Sequence, residues 1–284
     1  MRYVVVSPVR NEEQFIRLTL KSMVAQASRP AQWVIVNDNS TDSTVDIIRS
    51  YANKHLWIKL VDADNEGERK RGSRVIQLFN VGFTQIDPED FDLIVKLDGD
   101  VSFAPDFFER LIEKFVQDDR LGIAGGECYE WNGKTWKLVK TPEDHVRGAT
   151  KVYRRACFDA IGGLPTVNGW DTIDEMKAQL KGWKTRGYED ILFRHHRIMG
   201  SAEGRIRGWV THGEFSYFLR YPFPVILIRT IYRAVVERPL FLVGLALLWG
   251  YLKSLVTRQT QINDPELHRY LRKRHWQRLL FWRI

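Results

Sequence analysis

The sequence predicts an α/β fold with a mixed, mostly parallel central sheet, followed by a C-terminal helical region. Two observations carry this prediction. Short aliphatic runs alternate with amphipathic segments of helical period from residue 3 onward, which is the pattern of parallel sheets covered by helices. Beyond Gly213 the chain changes to longer apolar segments that prolines and arginines interrupt. We therefore expect two domains, at 1–213 and 214–284.

The composition is that of a globular protein. With 284 residues, of which 44% are hydrophobic, the chain can bury a full core and carry an appendage. The two cysteines, Cys128 and Cys157, are too few for a disulfide framework, which favours a reducing compartment. No basic n-region followed by an apolar h-region opens the sequence. We expect a cytoplasmic location.

Hydrophobic periodicity predicts the elements of the first domain. Aliphatic runs indicate strands at 3–7, 33–36, 56–61 and 92–97, and helices between them end near residues 27, 52 and 83. A further helix is predicted to begin at Pro105. Two strands follow around 128–131 and 147–153, and a short helix over 154–161 is closed by Gly162 and Gly163.

Two carboxylates stand where the fourth strand ends. Asp98 and Asp100 are separated by one glycine, and carboxylates placed so closely repel each other unless a cation lies between them. Mg²⁺ and Mn²⁺ prefer oxygen ligands and bind substrate phosphates at the same time. The alternative is an ordinary Asp-Gly turn.

Other polar side chains follow the neighbouring strands. Asp38 comes after the second strand and could face the same cleft as Asp98, because ligands of open α/β sheets collect at the carboxyl ends of the strands. It could equally belong to a helix cap. Arg74 ends a basic, glycine-containing segment and could reach a diphosphate. The alternative is that this segment is the solvated start of a helix.

Four motifs resemble, in order and spacing, those of the family 2 inverting glycosyltransferases over roughly residues 3 to 200. They are Pro8-Val9-Arg10-Asn11-Glu12, Asn37-Asp38-Asn39-Ser40-Thr41-Asp42, Asp98-Gly99-Asp100, and Arg155 with Ile161-Gly162-Gly163. The resemblance implies a GT-A fold, which is a Rossmann-like α/β domain. It also implies transfer of a sugar from a nucleotide diphosphate sugar with inversion at the anomeric carbon.

The resemblance further implies site roles. The nucleotide pocket would be bordered by Pro8, Arg10 and Glu12, with Asp38 on the base or ribose. Asp98 and Asp100 match the family's pair that binds Mg²⁺ or Mn²⁺, with Asp100 as the direct ligand and Asp98 nearer the ribose. Asn37 stands where many members have Asp, so the base preference stays open.

Inversion requires a base that takes the proton of the attacking hydroxyl. The family places it eleven residues before a Gly-aromatic pair, and counting back from Gly182 reaches Asp171. Trp170 stands where the family usually has Glu, and Asp174 and Glu175 are close rivals. We favour Asp171 over Asp174. The alternative for either acid is a helix cap or first-turn position.

A cationic cluster ends a late strand that begins at Ile191. His195, His196 and Arg197 could hold a diphosphate or a lipid-linked phosphate of the acceptor. A structural role for these side chains is equally open.

The C-terminal region combines apolar and basic segments. Residues 225–236 and 239–252 are apolar, and the segment from Arg258 to Ile284 is basic and aromatic. The second segment is shorter than the about 20 residues that a membrane-spanning helix needs, so a helix that lies in the membrane interface or dips into it is favoured for 239–257. The alternative is a buried helical appendage. We expect an anionic membrane surface as partner, rather than nucleic acid.

The leading hypothesis is therefore a metal-assisted inverting glycosyltransferase, peripheral or monotopic on the cytoplasmic face of a membrane. Its acceptor would be a hydroxyl of a lipid-linked or polysaccharide glycan. A non-catalytic nucleotide-sugar-binding or scaffold subunit is the alternative, based on the altered acid before Asp171. A nucleotidyltransferase is less favoured, because no Gly-rich phosphate loop with lysine follows the first strand.

Overall fold

A computed structural model describes residues 1–63, 73–87, 91–131, 134–197 and 204–280. The chain divides into two compact units, Met1–Ile198 and Met199–Ile284. The division precedes the boundary predicted at Gly213, which lies inside a helix of the second unit, Gly204–Phe218. The apolar composition thus begins within the first helix of the second unit and not at the boundary between the two units.

The first unit is built on one mixed sheet. Its strands are β1 (Tyr3–Val9), β2 (Gln32–Asn37), β3 (Ile58–Asp62), β4 (Leu93–Leu97), β5 (Val101–Phe103), β6 (Leu121–Trp131), β7 (Trp136–Val139), β8 (Thr150–Arg154) and β9 (Lys184–His195). Their order is β3-β2-β1-β4-β8-β6-β9-β5, with β7 paired to β6. The first four strands in this order are parallel, whereas β8 and β5 run antiparallel to their neighbours.

Helices cover both faces of this sheet. They are α1 (Ile16–Val24), α2 (Thr44–Ala52), α3 (Ser73–Phe83), α4 (Phe107–Gln117), α5 (Arg155–Ala160) and α6 (Trp170–Leu180). Alternate strand residues divide between two cores: Val5 belongs to the cluster that contains Leu20 of α1 and Phe115 of α4, and Val6 to the cluster that contains Phe79 of α3. This two-sided burial explains the near-continuous aliphatic runs in the sequence.

Most predicted elements are confirmed, and the differences lie in the antiparallel half. The strand β5 was not predicted because three residues are too few to show a period. The strand β6 begins at Leu121, earlier than predicted, and includes a glycine pair. A Cβ at Gly126 would lie 2.4 Å from the carbonyl oxygen of Ile191. Glycine is therefore required there for β9 to approach β6.

Over residues 204–280, the second unit contains four helices: α7 (Gly204–Phe218), α8 (Phe223–Val236), α9 (Leu242–Val256) and α10 (Pro265–Leu280). Glycines let α9 approach both of its neighbours. A Cβ at Gly250 would lie 2.0 Å from the Val210 carbonyl oxygen of α7, and one at Gly244 would lie 2.5 Å from the Thr230 carbonyl oxygen of α8. Helix pairs this close exclude side chains from the crossing point.

The remaining surface of α8 and α9 is strongly apolar. Ile231 and Val235 of α8 are each 66% exposed, and Trp249 of α9 is 63% exposed. They are accompanied by Phe241 and Leu245. Within the described ranges, no helix combines the length and apolarity needed to cross a membrane. We call these five side chains the exposed apolar face.

Candidate active site

Three potential metal ligands converge beyond the end of β4. Asp98 and Asp100 lie in the turn that joins β4 to β5, and His195 is the last residue of β9. The pairing of β5 with β9 sets Val101 opposite His195, so the imidazole meets the acidic pair. One ligand atom from each residue lies within 4.8 Å of those of the other two.

Cations surround this acidic cluster. The Asp100 carboxylate contacts His195 Nε2 at 3.1 Å and accepts a hydrogen bond from Arg197 Nε at 3.1 Å. Arg197 also donates to Glu12, and Lys96 donates to Asp98. The sequence associated His195 and Arg197 with an acceptor phosphate, but the structure places both on Asp100.

The pKa values follow from burial and these contacts. Burial raises the pKa of Glu12 to about 7, and the negative charge of Asp100 adds to the increase. Burial and the Asp100 charge likewise raise the pKa of Asp98, although Lys96 opposes this. Burial acts on Asp100 in the same direction, but the His195 hydrogen bond and the Arg197 charge outweigh it and hold that pKa below its usual value.

The donor set fits a divalent cation. Asp100 and His195 are buried, at 5% exposed each, so their grouping is not an accidental surface cluster. Two carboxylates and one imidazole are ligands that Mn²⁺ accepts, and carboxylates also suit Mg²⁺. Buried carboxylates in one turn need such positive charge to remain ionised together.

A second group gathers at the ends of β1 and β2, which are paired from Val4 to Val9. The Asp38 carboxylate accepts hydrogen bonds from Arg74 at 2.7 and 3.1 Å and from Arg10 at 3.4 Å. Pro8 lies in β1 opposite Val36. The predicted nucleotide-pocket residues Pro8, Arg10, Asp38 and Arg74 are thus brought together, while Glu12 faces Arg197. Residues 65–72 of the basic segment lie outside the described residues.

Asn37, the departure from the usual Asp, has a local role. Its side chain donates to Asp62 Oδ1 at 2.7 Å and accepts from the Ser40 backbone N–H at 3.0 Å. An amide can do both, whereas a carboxylate would repel Asp62. The residue links β2 to β3 and shapes the loop that follows Asp38.

The two candidates for the base lie in the same helix but in different surroundings. Asp171 occupies the first turn of α6 and is half-buried, and its carboxylate makes no hydrogen bond within the described part of the chain. Asp174 is fully buried. It accepts two hydrogen bonds from Lys151 Nζ, at 2.9 and 3.0 Å, and one from the Tyr153 hydroxyl at 2.5 Å.

This placement makes Asp174 the less accessible of the two candidates for the base. Burial raises the pKa of Asp174 to about 6, and its oxygens are enclosed by Lys151 and Tyr153. Glu175 is similarly engaged by the Val146 backbone N–H at 2.7 Å and by His145 Nδ1 at 3.0 Å. Asp171 is the acid of this helix that remains available.

Two buried lysines were missed by the sequence analysis. Lys96 and Lys151 are 3% and 0% exposed and lie in β4 and β8. For Lys96 the available signal was a lysine inside an otherwise aliphatic strand, because such a residue is almost never fully buried without a partner. Lys151 lies in a strand of mixed composition that gave no such signal. Lys96 meets Asp98, and Lys151 meets Asp174, so each lysine marks one side of the candidate site.

His196 faces away from the acidic cluster. Its Nε2 lies 2.8 Å from Ser102 Oγ, and its ring contacts Phe15 and Trp136. Ser102 and Trp136 also line a cavity of about 690 Å³, together with Ser22, Tyr129 and Arg194. His196, one of the three predicted acceptor-side residues, thus contacts two of the residues that line this cavity.

Comparisons with known proteins agree with this architecture. The model of the family described as "Glycosyl transferase family 2" matches residues 4–169. The uncharacterized glycosyltransferase YibD of Escherichia coli is 28% identical over 149 residues, which is 50% of this chain and 39% of that protein. The probable glycosyltransferase YdaM of Bacillus subtilis is 27% identical over 185 residues, 56% of this chain and 42% of that protein. The chain therefore spans less than half the length of these two relatives.

Solved structures share the fold. TarS 1-349 of S. aureus in complex with UDP-GlcNAc has a TM-score of 0.58 at 18% identity, covering 90% of this chain and 73% of that one. The mannosyltransferase PcManGT of Pyrobaculum calidifontis, in complex with GDP-Man and Mn²⁺, has a TM-score of 0.58 at 17% identity, covering 98% and 87%. The mixed sheet is that of GT-A glycosyltransferases. Because the family model covers more than half of the sequence, the chain belongs to glycosyl transferase family 2.

Proposed function

We propose that this chain transfers a sugar from a nucleotide diphosphate sugar to a glycan hydroxyl, with inversion at the anomeric carbon. The observation that carries the proposal is the convergence of Asp98, Asp100 and His195 beyond β4. A bound Mg²⁺ or Mn²⁺ held by these residues would neutralise the charge that develops on the diphosphate leaving group.

The remaining roles follow from the contacts. Asp38, held by Arg10 and Arg74, presents a fixed carboxylate to the nucleoside. Arg197 is positioned to bind anionic oxygen because it already contacts Glu12 and Asp100. Asp171 would take the proton of the attacking hydroxyl, since it is half-buried and, among the described residues, its carboxylate accepts no hydrogen bond. The UDP-GlcNAc and GDP-Man complexes of the structural neighbours support a nucleotide sugar as the donor class.

The proposed acceptor is a lipid-linked or polysaccharide glycan. The cavity beside His196 supports it, because Tyr129 and Trp136 offer aromatic surface to sugar rings and Arg194 offers charge to a phosphate or carboxylate.

A donor screen tests the proposal. Purified protein with Mn²⁺ or Mg²⁺ is combined with UDP-, GDP- and dTDP-sugars, and both thermal stabilisation and slow donor hydrolysis are measured. We expect one nucleotide sugar to stabilise the protein in a metal-dependent way and to be hydrolysed. Binding without turnover on any acceptor would instead support the non-catalytic subunit, and binding that is independent of metal would contradict the role of the acidic cluster.

We further propose that the second unit attaches the protein to the cytoplasmic face of an anionic membrane. The five side chains of the exposed apolar face are each at least 59% exposed, and exposed apolar patches mark interaction or membrane sites. Helix α10 adds the exposed cations Arg269, Arg272 and Lys273. Helices that lie in the membrane interface typically combine exposed apolar side chains with basic ones.

Replacing both Ile231 and Val235 by Asp is expected to lower binding to anionic vesicles about tenfold or more, because the double substitution removes two aliphatic side chains from the interface. Vesicle flotation measures this. The matched control is Leu56→Asp in the first unit, where Leu56 is 92% exposed. Flotation of the double variant at the wild-type level would contradict the proposed membrane surface.

A further inference from the structure

A single indole ring lies over two buried ammonium groups. Strands β4 and β8 set Lys96 directly opposite Lys151. The Lys96 Nζ lies 5.2 Å from the centroid of the Trp170 ring, and the Lys151 Nζ lies 5.6 Å from it. Trp170 is itself 7% exposed and is the first residue of α6.

This arrangement is electrostatically demanding. Like charges at directly opposed positions of an antiparallel pair destabilise a sheet, and burial increases the cost of each charge. The face of an indole carries negative potential and attracts a desolvated ammonium more strongly than other rings do. The Trp170 ring therefore offsets part of the repulsion between Lys96 and Lys151 in addition to their carboxylate partners.

Each lysine reaches a different part of the candidate active site. Lys96 donates to the Asp98 carboxylate and, at 3.0 Å, to the Gly148 carbonyl oxygen. Lys151 donates to the backbone carbonyl oxygen of Asp171 at 2.5 Å as well as to Asp174. The ring thus lies between the group that orients a potential metal ligand and the group that fixes the turn bearing Asp171.

The loop before β8 is shaped to admit the ring. A Cβ added at Gly148 would lie 3.1 and 3.2 Å from two atoms of the Trp170 benzene ring, and 3.4 Å from Asp171 Cβ. The absence of a side chain at Gly148 lets the backbone carbonyl and the indole approach Lys96 together.

We propose that Trp170 is a positioning residue that fixes the separation between Asp98 and Asp171 through Lys96 and Lys151. In this role the ring acts through its contacts with the two lysines. The inference rests on the proposed function, because it assigns Asp98 to the metal and Asp171 to the proton of the hydroxyl. It explains why a large aromatic residue begins α6 beside the acid.

Two substitutions separate the ring face from its volume. Trp170→Phe keeps an aromatic face, and Trp170→Leu keeps apolar bulk without one. We expect Trp170→Leu to lower kcat about tenfold or more and to weaken Mn²⁺ binding roughly fivefold, with the donor KM within about threefold of wild type. We expect Trp170→Phe to stay within about threefold of wild type in all three quantities.

The matched control is Trp183→Leu, which removes an indole that packs on the same core as Trp170. Mn²⁺ titration by calorimetry and turnover of the donor are measured on folded protein of each variant. The control should lose thermal stability while keeping Mn²⁺ affinity and kcat. The proposal would be overturned if Trp170→Leu and Trp170→Phe had the same kcat and the same Mn²⁺ affinity, whether at the wild-type level or lowered by the same factor.

Two further measurements keep the test informative if Trp170→Leu does not fold. Gly148→Ala displaces the ring without removing it, and we expect it to lower kcat and Mn²⁺ affinity in the same direction. In the wild type, ring currents should shift the Lys96 and Lys151 methylene NMR signals upfield, and unshifted signals would contradict the ring placement. The NMR measurement needs no donor, so a wild type that binds no nucleotide sugar refutes the proposed function separately.

Discussion

Asp100→Asn is expected to abolish metal-dependent donor binding and to reduce sugar transfer about a thousandfold or more. Asparagine keeps the size of the side chain but removes the charge that Asp100 offers between His195 and Arg197. The cluster would then present one carboxylate to the metal instead of two. Mn²⁺ titration calorimetry and donor turnover measure the two effects independently.

Asp106→Asn is the matched control for Asp100. Asp106 is the N-cap residue that precedes α4, and its side chain is 51% exposed and forms an ion pair with Arg110 at 3.9 Å. An exposed pair of this kind contributes little, so this variant should bind Mn²⁺ and turn over like the wild type. Retention of wild-type Mn²⁺ affinity in Asp100→Asn would show that the ion, if used, binds elsewhere.

Asp171→Asn is expected to lower transfer by a factor of about 10² to 10⁴, the usual contribution of a general base, with donor and metal affinities unchanged. The amide cannot accept the proton of the hydroxyl, but it preserves the shape of the first turn of α6. Transfer kinetics with a saturating donor, combined with calorimetry of donor binding, separate the chemical step from binding.

Asp174→Asn provides the contrast within the same helix. Its loss would leave the fully buried Lys151 with Glu175 as its remaining carboxylate, and breaking a buried pair costs about 3–5 kcal/mol of stability. We expect a large drop in melting temperature. If Asp174→Asn were stable and inactive while Asp171→Asn stayed active, the assignment of the base would be reversed.

The parallel half of the fold could be predicted because each strand is a local signal. The aliphatic runs that form β1, β2 and β4 are apolar on both faces. Asp98 and Asp100 follow β4 with one glycine between them. Neither feature requires knowledge of a distant partner. The fold class, the acidic pair and the strand ends followed from these local patterns together with the resemblance of the motifs.

The rest depends on pairings that the sequence does not display. His195 joins Asp100 across 95 positions because the short strand β5 pairs with β9, and β5 has no periodicity of its own. Asp174 and Asp171 look equivalent in the sequence, since both are acids early in one helix. Lys151 of β8 distinguishes them, because its ammonium donates to the carboxylate of Asp174 but to the backbone carbonyl of Asp171.

The two sides of helix α9 differ in what they contact. The side with Gly244 and Gly250 meets its neighbours at backbone distance and accepts no other residue type, whereas the side with Leu245 and Trp249 contributes to the exposed apolar face. We therefore expect substitutions on the first side to lower the stability of the fold and those on the second side to change surface properties alone. In evolution, the outer side could change while the bundle stays intact, so the two glycines should be the slowest-changing positions of the second unit.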